Sequence, residues 1–150
     1  MILNYNDYNI IIMSQYLVID KNNCSYLEDL DVFIKKNPEG CKSFRYFNKR
    51  PYNIIQNHIY TCLYYLDNEC VGYGHLDKED EKIWLGIIVS DSKKGQKIGD
   101  KIMDDLISKT TTDIFLSVDV DNLPAFKLYE KKGFVTISQN IHYKTMKLTK

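Results

Sequence analysis

Leu116-Ser117-Val118-Asp119-Val120-Asp121-Asn122-Leu123-Pro124-Ala125-Phe126-Lys127-Leu128-Tyr129-Glu130-Lys131-Lys132-Gly133-Phe134 passes from one kind of local structure to another. The apolar run Ile114-Phe115-Leu116, continued by Val118 and Val120, predicts a strand over Ile114–Val120. Asn122 follows, and its side chain can accept from the free amides of a first helical turn. Pro124 suits that turn, because it lacks an N–H where none is needed. The helix predicted over Pro124–Lys132 stops at Gly133, the residue best suited to a left-handed cap.

Upstream lies a second strand-loop-helix. Lys82–Val89 reads as a strand so apolar that burial on both faces is expected. Ser90–Gln96 is a polar loop containing Gly95. A helix is predicted over Ile98–Lys109, with Ile98, Ile102, Met103, Leu106 and Ile107 on one face. A helix N-terminus presents free amides and the positive end of its dipole. Glycines let such a backbone come close to phosphate. The loop is not a phosphate-binding P-loop, and the G-x-G-x-x-G dinucleotide fingerprint is missing.

The rest of the chain gives one α/β domain. Strands are expected at Gln15–Ile19, Ile59–Leu66, Glu69–Leu76, Val135–Gln139 and Ile141–Leu148. Asp67-Asn68 and Asp77–Glu81 read as turns. A helix capped by Asn23 or Ser25 should run to about Lys36 and stop at Pro38-Glu39-Gly40, and a short helix is expected over Tyr52–Asn57. Residues 1–150 are read as a single domain, with 1–13 as an N-terminal extension.

Composition excludes several classes. The chain has 150 residues, with 20 Lys plus Arg against 20 Asp plus Glu. Zero net charge and the absence of a basic stripe argue against a nucleic-acid partner. The four cysteines form no C-x-x-C pair and the three histidines lie far apart, so no metal is expected and the thiols read as buried and reduced. Ile10–Met13 is too short for a membrane span. A cytoplasmic protein is the resulting expectation (host cytoplasm, if viral).

Together the two blocks resemble the GNAT superfamily of N-acetyltransferases. Asn122-x-x-Ala125-x-x-Leu128-Tyr129-Glu130-Lys131-x-Gly133-Phe134 is similar to that family's second cofactor motif, and Lys94-Gly95-Gln96-Lys97-Ile98-Gly99 to its first. Two residues depart from the pattern. Lys94 stands where Arg or Gln is usual. Lys97 replaces the first motif glycine, and a positive φ there implies strain of about 1 kcal/mol.

The resemblance implies a mixed, mostly antiparallel α/β sheet, helices on both faces, and splayed parallel strands Lys82–Val89 and Ile114–Val120. It implies acetyl-CoA, without metal, as the acetyl donor to a primary amine. Pantetheine would pair with Ile87, Ile88 and Val89, Gly86 would sit at a β-bulge, and the pyrophosphate would lie on amides of Gly95, Gln96, Lys97, Ile98 and Gly99. Lys94, Asp100, Asn122, Ala125, Tyr129 and Lys131 complete the implied coenzyme site.

Tyr129 matches the family's general acid. The base is His75, Asp119 or water. His75 alternatively reads as an ordinary core or surface histidine, and Asp119 as a turn carboxylate. His75 is expected beside Trp84 across a hairpin. Phe44, Arg45, Tyr46, Arg50, His75 and Trp84 are candidate acceptor contacts; the aromatic ones alternatively close the core. The segments around Phe44–Arg50, Gly74–Asp80 and Ile83–Ile87 are similar to giant-virus enzymes that acetylate the 4-amino group of UDP-viosamine, which implies a UDP-linked amino sugar as the small-molecule acceptor. Other small amines, a peptide amine, or a non-catalytic acyl-CoA-binding module are the alternatives. Monomer and homodimer are both compatible with the residues.

Overall fold

Two tight turns set the register of the sheet. Asp67-Asn68 and Asp80-Glu81 hold both central residues at positive φ, 50° and 64° in one and 50° and 61° in the other. Such turns match the right-handed twist of paired strands. They join β2 (Tyr60–Leu66), β3 (Glu69–Glu79) and β4 (Lys82–Val89) into an antiparallel meander. The protein, as a computed structural model, is described over residues 14–18 and 26–150. The extension expected at 1–13 and the caps expected at Asn23 and Ser25 lie outside the described residues.

β1 (Ser14–Val18) pairs with β2. β5 (Ile114–Asp119), β6 (Val135–Gln139) and β7 (Tyr143–Leu148) complete a seven-stranded sheet of order β1-β2-β3-β4-β5-β7-β6. Every neighbouring pair is antiparallel except β4 and β5. That parallel pair is in register only at Ile83↔Ile114 and Trp84↔Phe115. Beyond Trp84 the strands part, as the resemblance implied.

Among the described residues four α-helices flank the sheet, α1 (Leu27–Lys36), α2 (Gly40–Ser43), α3 (Ile98–Ser108) and α4 (Leu123–Lys131), and the short helix expected over Tyr52–Asn57 is a 3-10 helix. In α1, Glu28 and Asp29 in the first turn and Lys35 and Lys36 in the last both complement the helix dipole. The end of α4 is a Schellman motif. Gly133 has φ 97°, its N–H donates to Glu130 O (3.0 Å), and Phe134 N–H donates to Tyr129 O (3.0 Å).

The helices divide the core in two. On one face, Ile98, Ile102, Met103 and Leu106 of α3 and Tyr129 of α4 pack with Cys62, Leu76, Leu85, Ile114, Leu116, Val118 and Met146. On the other, Leu30 and Phe33 of α1 pack with Ile55, Leu63, Tyr73 and Ile88. Each such aliphatic or aromatic side chain contributes about 1.5–3 kcal/mol by leaving water. α3 sits close because β3 has glycines beneath it. A Cβ on Gly74 would lie 2.7 Å from Ile102 Cγ2 and 3.0 Å from Leu106 Cδ1.

Three expectations need correction. β3 continues to Glu79, so the charged run from Asp77 is mostly strand; Asp77↔Trp84 and Glu79↔Lys82 pair across the hairpin and override turn-like composition. β4 faces a core on each side, with Leu85 in one and Ile88 in the other, but its remaining residues are less buried than their apolar composition predicts, because β5 leaves its side after Trp84. The chain after Pro38 does not simply stop, since Gly40–Ser43 makes one further helical turn. That turn forms because the Asp91 carboxylate accepts from Glu39 N (3.0 Å) and Gly40 N (2.8 Å), a long-range contact no local pattern announces.

Gly74→Ala will lower stability by about 1–3 kcal/mol through overpacking against α3. A urea titration should show a lower midpoint with an unchanged slope.

Candidate active site

The parting of β4 from β5 opens the centre of the sheet beside Leu85–Val89. Ile88 turns its side chain into the core at 4% exposure, whereas Ile87 and Val89 stay half-buried. Two helix N-termini flank the opening, and they are finished differently. In α4 the Asn122 Oδ1 accepts from Ala125 N (3.4 Å). In α3 the cap residue Lys97 makes no side-chain capping bond, and among the described residues no side chain is seen to accept from the first-turn amides of that helix.

The loop before α3 is shaped for a close approach. Gly95 has φ 82°, and a Cβ there would meet nothing within 4 Å. Lys97 has φ 62°, the left-handed conformation that a glycine adopts freely. Lys94, Gly95, Gln96 and Lys97 are all exposed. The loop is pinned from the opposite face: Asp91 N donates to Asn37 Oδ1 (2.8 Å), and Asn37 Nδ2 donates to Phe33 O (2.6 Å). Asn37 and Asp91 were not singled out in the sequence. They lie far apart in the chain and form no motif.

Gly99 serves helix packing as well, since a Cβ there would sit 3.2 Å from Leu128 Cδ2 of α4. Asp100 and Lys131 come together, but with each other. Asp100 Oδ1 pairs with Lys131 (3.0 Å) and Lys132 (2.9 Å), which hold its carboxyl below the usual Asp range. Tyr129 is 7% exposed, and burial raises its pKa, so the phenol keeps its proton. It has no hydrogen-bond partner among the described residues.

The opposite face carries a buried polar cluster. Tyr73 OH lies 2.6 Å from His75 Nδ1. Tyr46 OH donates to Asp77 Oδ2 (2.7 Å) and lies 2.7 Å from His58 Nε2, while His58 Nδ1 lies 2.8 Å from Thr61 Oγ1. His75 faces Gly86, not Trp84, across the hairpin; Trp84 faces Asp77. The register of β3 on β4 is regular, so the bulge expected at Gly86 is absent. Gly86 instead makes room for the imidazole, since a Cβ would fall 2.4 Å from His75 Cε1. His58, Thr61, Tyr73 and Asp77 escaped the sequence reading because burial brings them together, not spacing.

The aromatic-basic segment splits between two tasks. Phe44 and Tyr46 turn inward, with ring centroids 6.2 Å and 4.3 Å from His75. Arg50 stacks over Tyr46 at 4.4 Å and reaches Glu79 at 3.9 Å. Arg45 grips Asp119 with both nitrogens, at 3.0 Å and 2.8 Å. That pair stands in a cleft of about 450 Å³ with Val120, Asp121, Ile141 and His142, at the end of β5. The Arg45 bond holds the Asp119 carboxyl below the ordinary Asp range and therefore ionised. Among the described residues, no group of three or more His, Cys, Asp or Glu is placed to hold a metal ion. None of the described helices is long and apolar enough to cross a membrane.

Two tests follow from this geometry. Lys97→Gly will leave stability equal or raise it by up to about 1 kcal/mol, whereas Gly95→Ala will lower it by about 1 kcal/mol, both read by denaturant titration. Asp119 contributes stability that is complete above its unfolded pKa and lost as pH falls through the lowered folded value. Asp119→Asn should therefore be less stable than the parent at neutral pH by up to about 1 kcal/mol, a gap that narrows as pH falls through the lowered folded value.

Known proteins share this architecture. The sequence profile described as an acetyltransferase (GNAT) domain matches residues 32–150. The PaiA N-acetyltransferase of Thermoplasma acidophilum, solved in complex with coenzyme A, is 15% identical with a TM-score of 0.71, covering 93% of this chain and 100% of its own. The ribosomal-protein-S18-alanine N-acetyltransferase of Escherichia coli is 14% identical with a TM-score of 0.67, covering 91% of this chain and 94% of its own. An acetyltransferase of the GNAT family from Streptococcus pneumoniae is 16% identical with a TM-score of 0.69, covering 91% of this chain and 100% of its own. No curated protein sequence matches the chain.

Proposed function

Because the chain belongs to the acetyltransferase (GNAT) domain family, we propose that it moves the acetyl group of acetyl-CoA to a primary amine by direct attack on the thioester. The observation that carries this reading is Tyr129: a buried, protonated phenol without a partner among the described residues, on the helix that flanks the parted strands. A buried hydroxyl left without an acceptor costs about 1–3 kcal/mol. It is retained where a ligand atom completes it.

The residues around the opening fit the coenzyme. The uncapped amides at the start of α3, with Gly95 and Lys97 in left-handed backbone, would take the pyrophosphate. Lys94 and Lys97 would add positive charge. The edge of β4 at Ile87, Ile88 and Val89, unpaired after Trp84, would hold the pantetheine amides. Asn122 already accepts from Ala125 N and would keep its amide nitrogen for a ligand or a water. Asp100 and Lys131 serve the α3–α4 contact instead.

Bound acetyl-CoA supplies a thioester whose carbonyl carbon the amine attacks and whose sulfur leaves. Tyr129 would give that sulfur its phenolic proton. Asp119, ionised and gripped by Arg45, acts as a strut between β5 and the Phe44–Arg50 segment, and water in the cleft would take the amine proton.

For the acceptor, the finer reading is the 4-amino group of a nucleotide-linked amino sugar. Arg45 in the cleft wall would exchange Asp119 for a phosphate, and Asp119 and Asp121 would then face the amine end. Another small or peptide amine is favoured by the same two carboxylates, without any demand on Arg45.

A free-thiol assay with acetyl-CoA and an amine panel that includes UDP-4-amino-4,6-dideoxyglucose decides among these. Thiol release with the nucleotide sugar alone identifies it; tight coenzyme binding without turnover of any amine makes the chain a binding module. Tyr129→Phe should lower kcat by roughly ten- to a thousandfold with little change in coenzyme affinity. An unchanged kcat removes Tyr129 from the chemistry.

A further inference from the structure

The cluster beside Gly86 leaves one buried donor unpartnered among the described residues, whichever nitrogen of His75 carries the ring proton. Tyr73 is fully buried, and its hydroxyl has a single partner among the described residues, His75 Nδ1 at 2.6 Å. If Nδ1 carried the imidazole proton, the Tyr73 proton would be buried with no acceptor. With the ring proton on Nε2 instead, Tyr73 O–H donates to Nδ1 and the unpartnered donor becomes the imidazole N–H. Nε2 then has no acceptor among the described residues, although the ring is only 2% exposed.

That orphan donor lies at a telling place. The ring occupies the volume of the missing Gly86 side chain, 2.6 Å from an ideal Cβ position to Nε2. Gly86 follows Leu85, the first β4 residue beyond the last pair with β5. The donor therefore borders the opening in the sheet.

We infer that His75 acts as a fixed hydrogen-bond donor, with Nε2–H directed at the acetyl carbonyl oxygen as negative charge develops on it, and that Tyr73 is the positioning residue that sets its tautomer. This rests on the acetyl-transfer reading above. No proton leaves Nε2. As the nitrogen–carbon bond forms, the carbonyl electron pair moves onto oxygen, where Nε2–H holds it. When the pair returns, the carbon–sulfur bond breaks, Tyr129 protonates the sulfur, and water removes the amine proton.

The surroundings keep the ring in this form. Burial, together with the neighbouring His58 and the Arg50 guanidinium, lowers the imidazole's pKa well below its ordinary value. The groups facing it are Tyr73 on its own strand, His58 with ring centroids 4.5 Å away, and Tyr46 at 4.3 Å. Asp77, Arg50 and Glu79 lie behind Tyr46, and the Tyr46 hydroxyl already donates to Asp77. A neutral imidazole used as a donor costs no reorganisation as charge develops, which is the advantage of a preorganised oxyanion site.

The experiment combines tautomer spectroscopy with two substitutions. Long-range nitrogen–proton NMR on the ¹⁵N-histidine-labelled protein without coenzyme should show His75 as the Nε2–H tautomer across neutral pH, and as a tautomer mixture in Tyr73→Phe. In the thiol-release assay, His75→Ala should lower kcat by roughly a hundred- to a thousandfold without changing the shape of the pH profile. His75→Gln, which restores an N–H at similar reach, should recover most of that loss.

An Nδ1–H tautomer, an imidazolium at neutral pH, or a flattened acidic limb with no rescue by Gln overturns the inference and leaves acetyl transfer standing. Absence of turnover with every amine, despite the expected tautomer, overturns the acetyl-transfer reading itself and the role of His75 with it.

Discussion

Two neighbouring strands that pair at two residues and then part are the constraint on which the rest of this structure depends. Backbone amides and carbonyls in the middle of a sheet normally satisfy one another. After Trp84 and Phe115, β4 and β5 no longer do so, yet both are interior strands of the sheet. An interior edge of this kind needs an occupant, and the neighbouring elements are arranged around it. α3 and α4 bring their N-termini to one side of it. The β3–β4 hairpin brings a buried histidine to the other.

Holding the opening in shape falls to contacts at a distance. Asp91 ties the loop before α3 to the first amides of α2, and Asn37 ties the same loop to the end of α1. Arg45 ties the end of β5 to the segment that follows α2. Glycines at Gly74, Gly86 and Gly99 let helix, ring and helix approach more closely than a Cβ would permit. The helix ends show the same division of labour. α4 is closed by Asn122 at its start and a Schellman motif at its end, whereas α3 starts without a side-chain cap. One helix is finished by side chain and glycine, and the other begins with an exposed loop in left-handed backbone.

The two halves of the site differ in how far the sequence revealed them. The proposed coenzyme half lies in two continuous stretches, Lys82–Gly99 and Ile114–Phe134, so Gly95, Lys97, Asn122 and Tyr129 could be placed on a loop, a cap and a helix from pattern alone. Asp100 and Lys131 sit in the same stretches but pair with each other, and one-dimensional spacing does not report a contact between two helices. On the acceptor face the residues come from separate elements. Tyr46, His58, Thr61, Tyr73, His75 and Asp77 share no period or motif, and only His75 and Tyr46 drew notice before the fold was seen. The register shows why Trp84 is not the neighbour of His75. Strand β3 continues through the charged residues, the hairpin turn falls at Asp80-Glu81, and every cross-strand partner follows from that position.

By itself the sequence determined the order of strands and helices, the turn at Asp67-Asn68, the cap at Asn122, the stop at Gly133 and the family resemblance. These are set by backbone preferences and side-chain periods acting over a few residues. Tertiary structure alone decided that Asp91 would build a helical turn at Gly40–Ser43, that Arg45 would be spent on Asp119, and that the Tyr73 hydroxyl would lie against His75 Nδ1. Each depends on which groups are buried against one another across the sheet, and burial is a property of the packed chain, not of any segment of it.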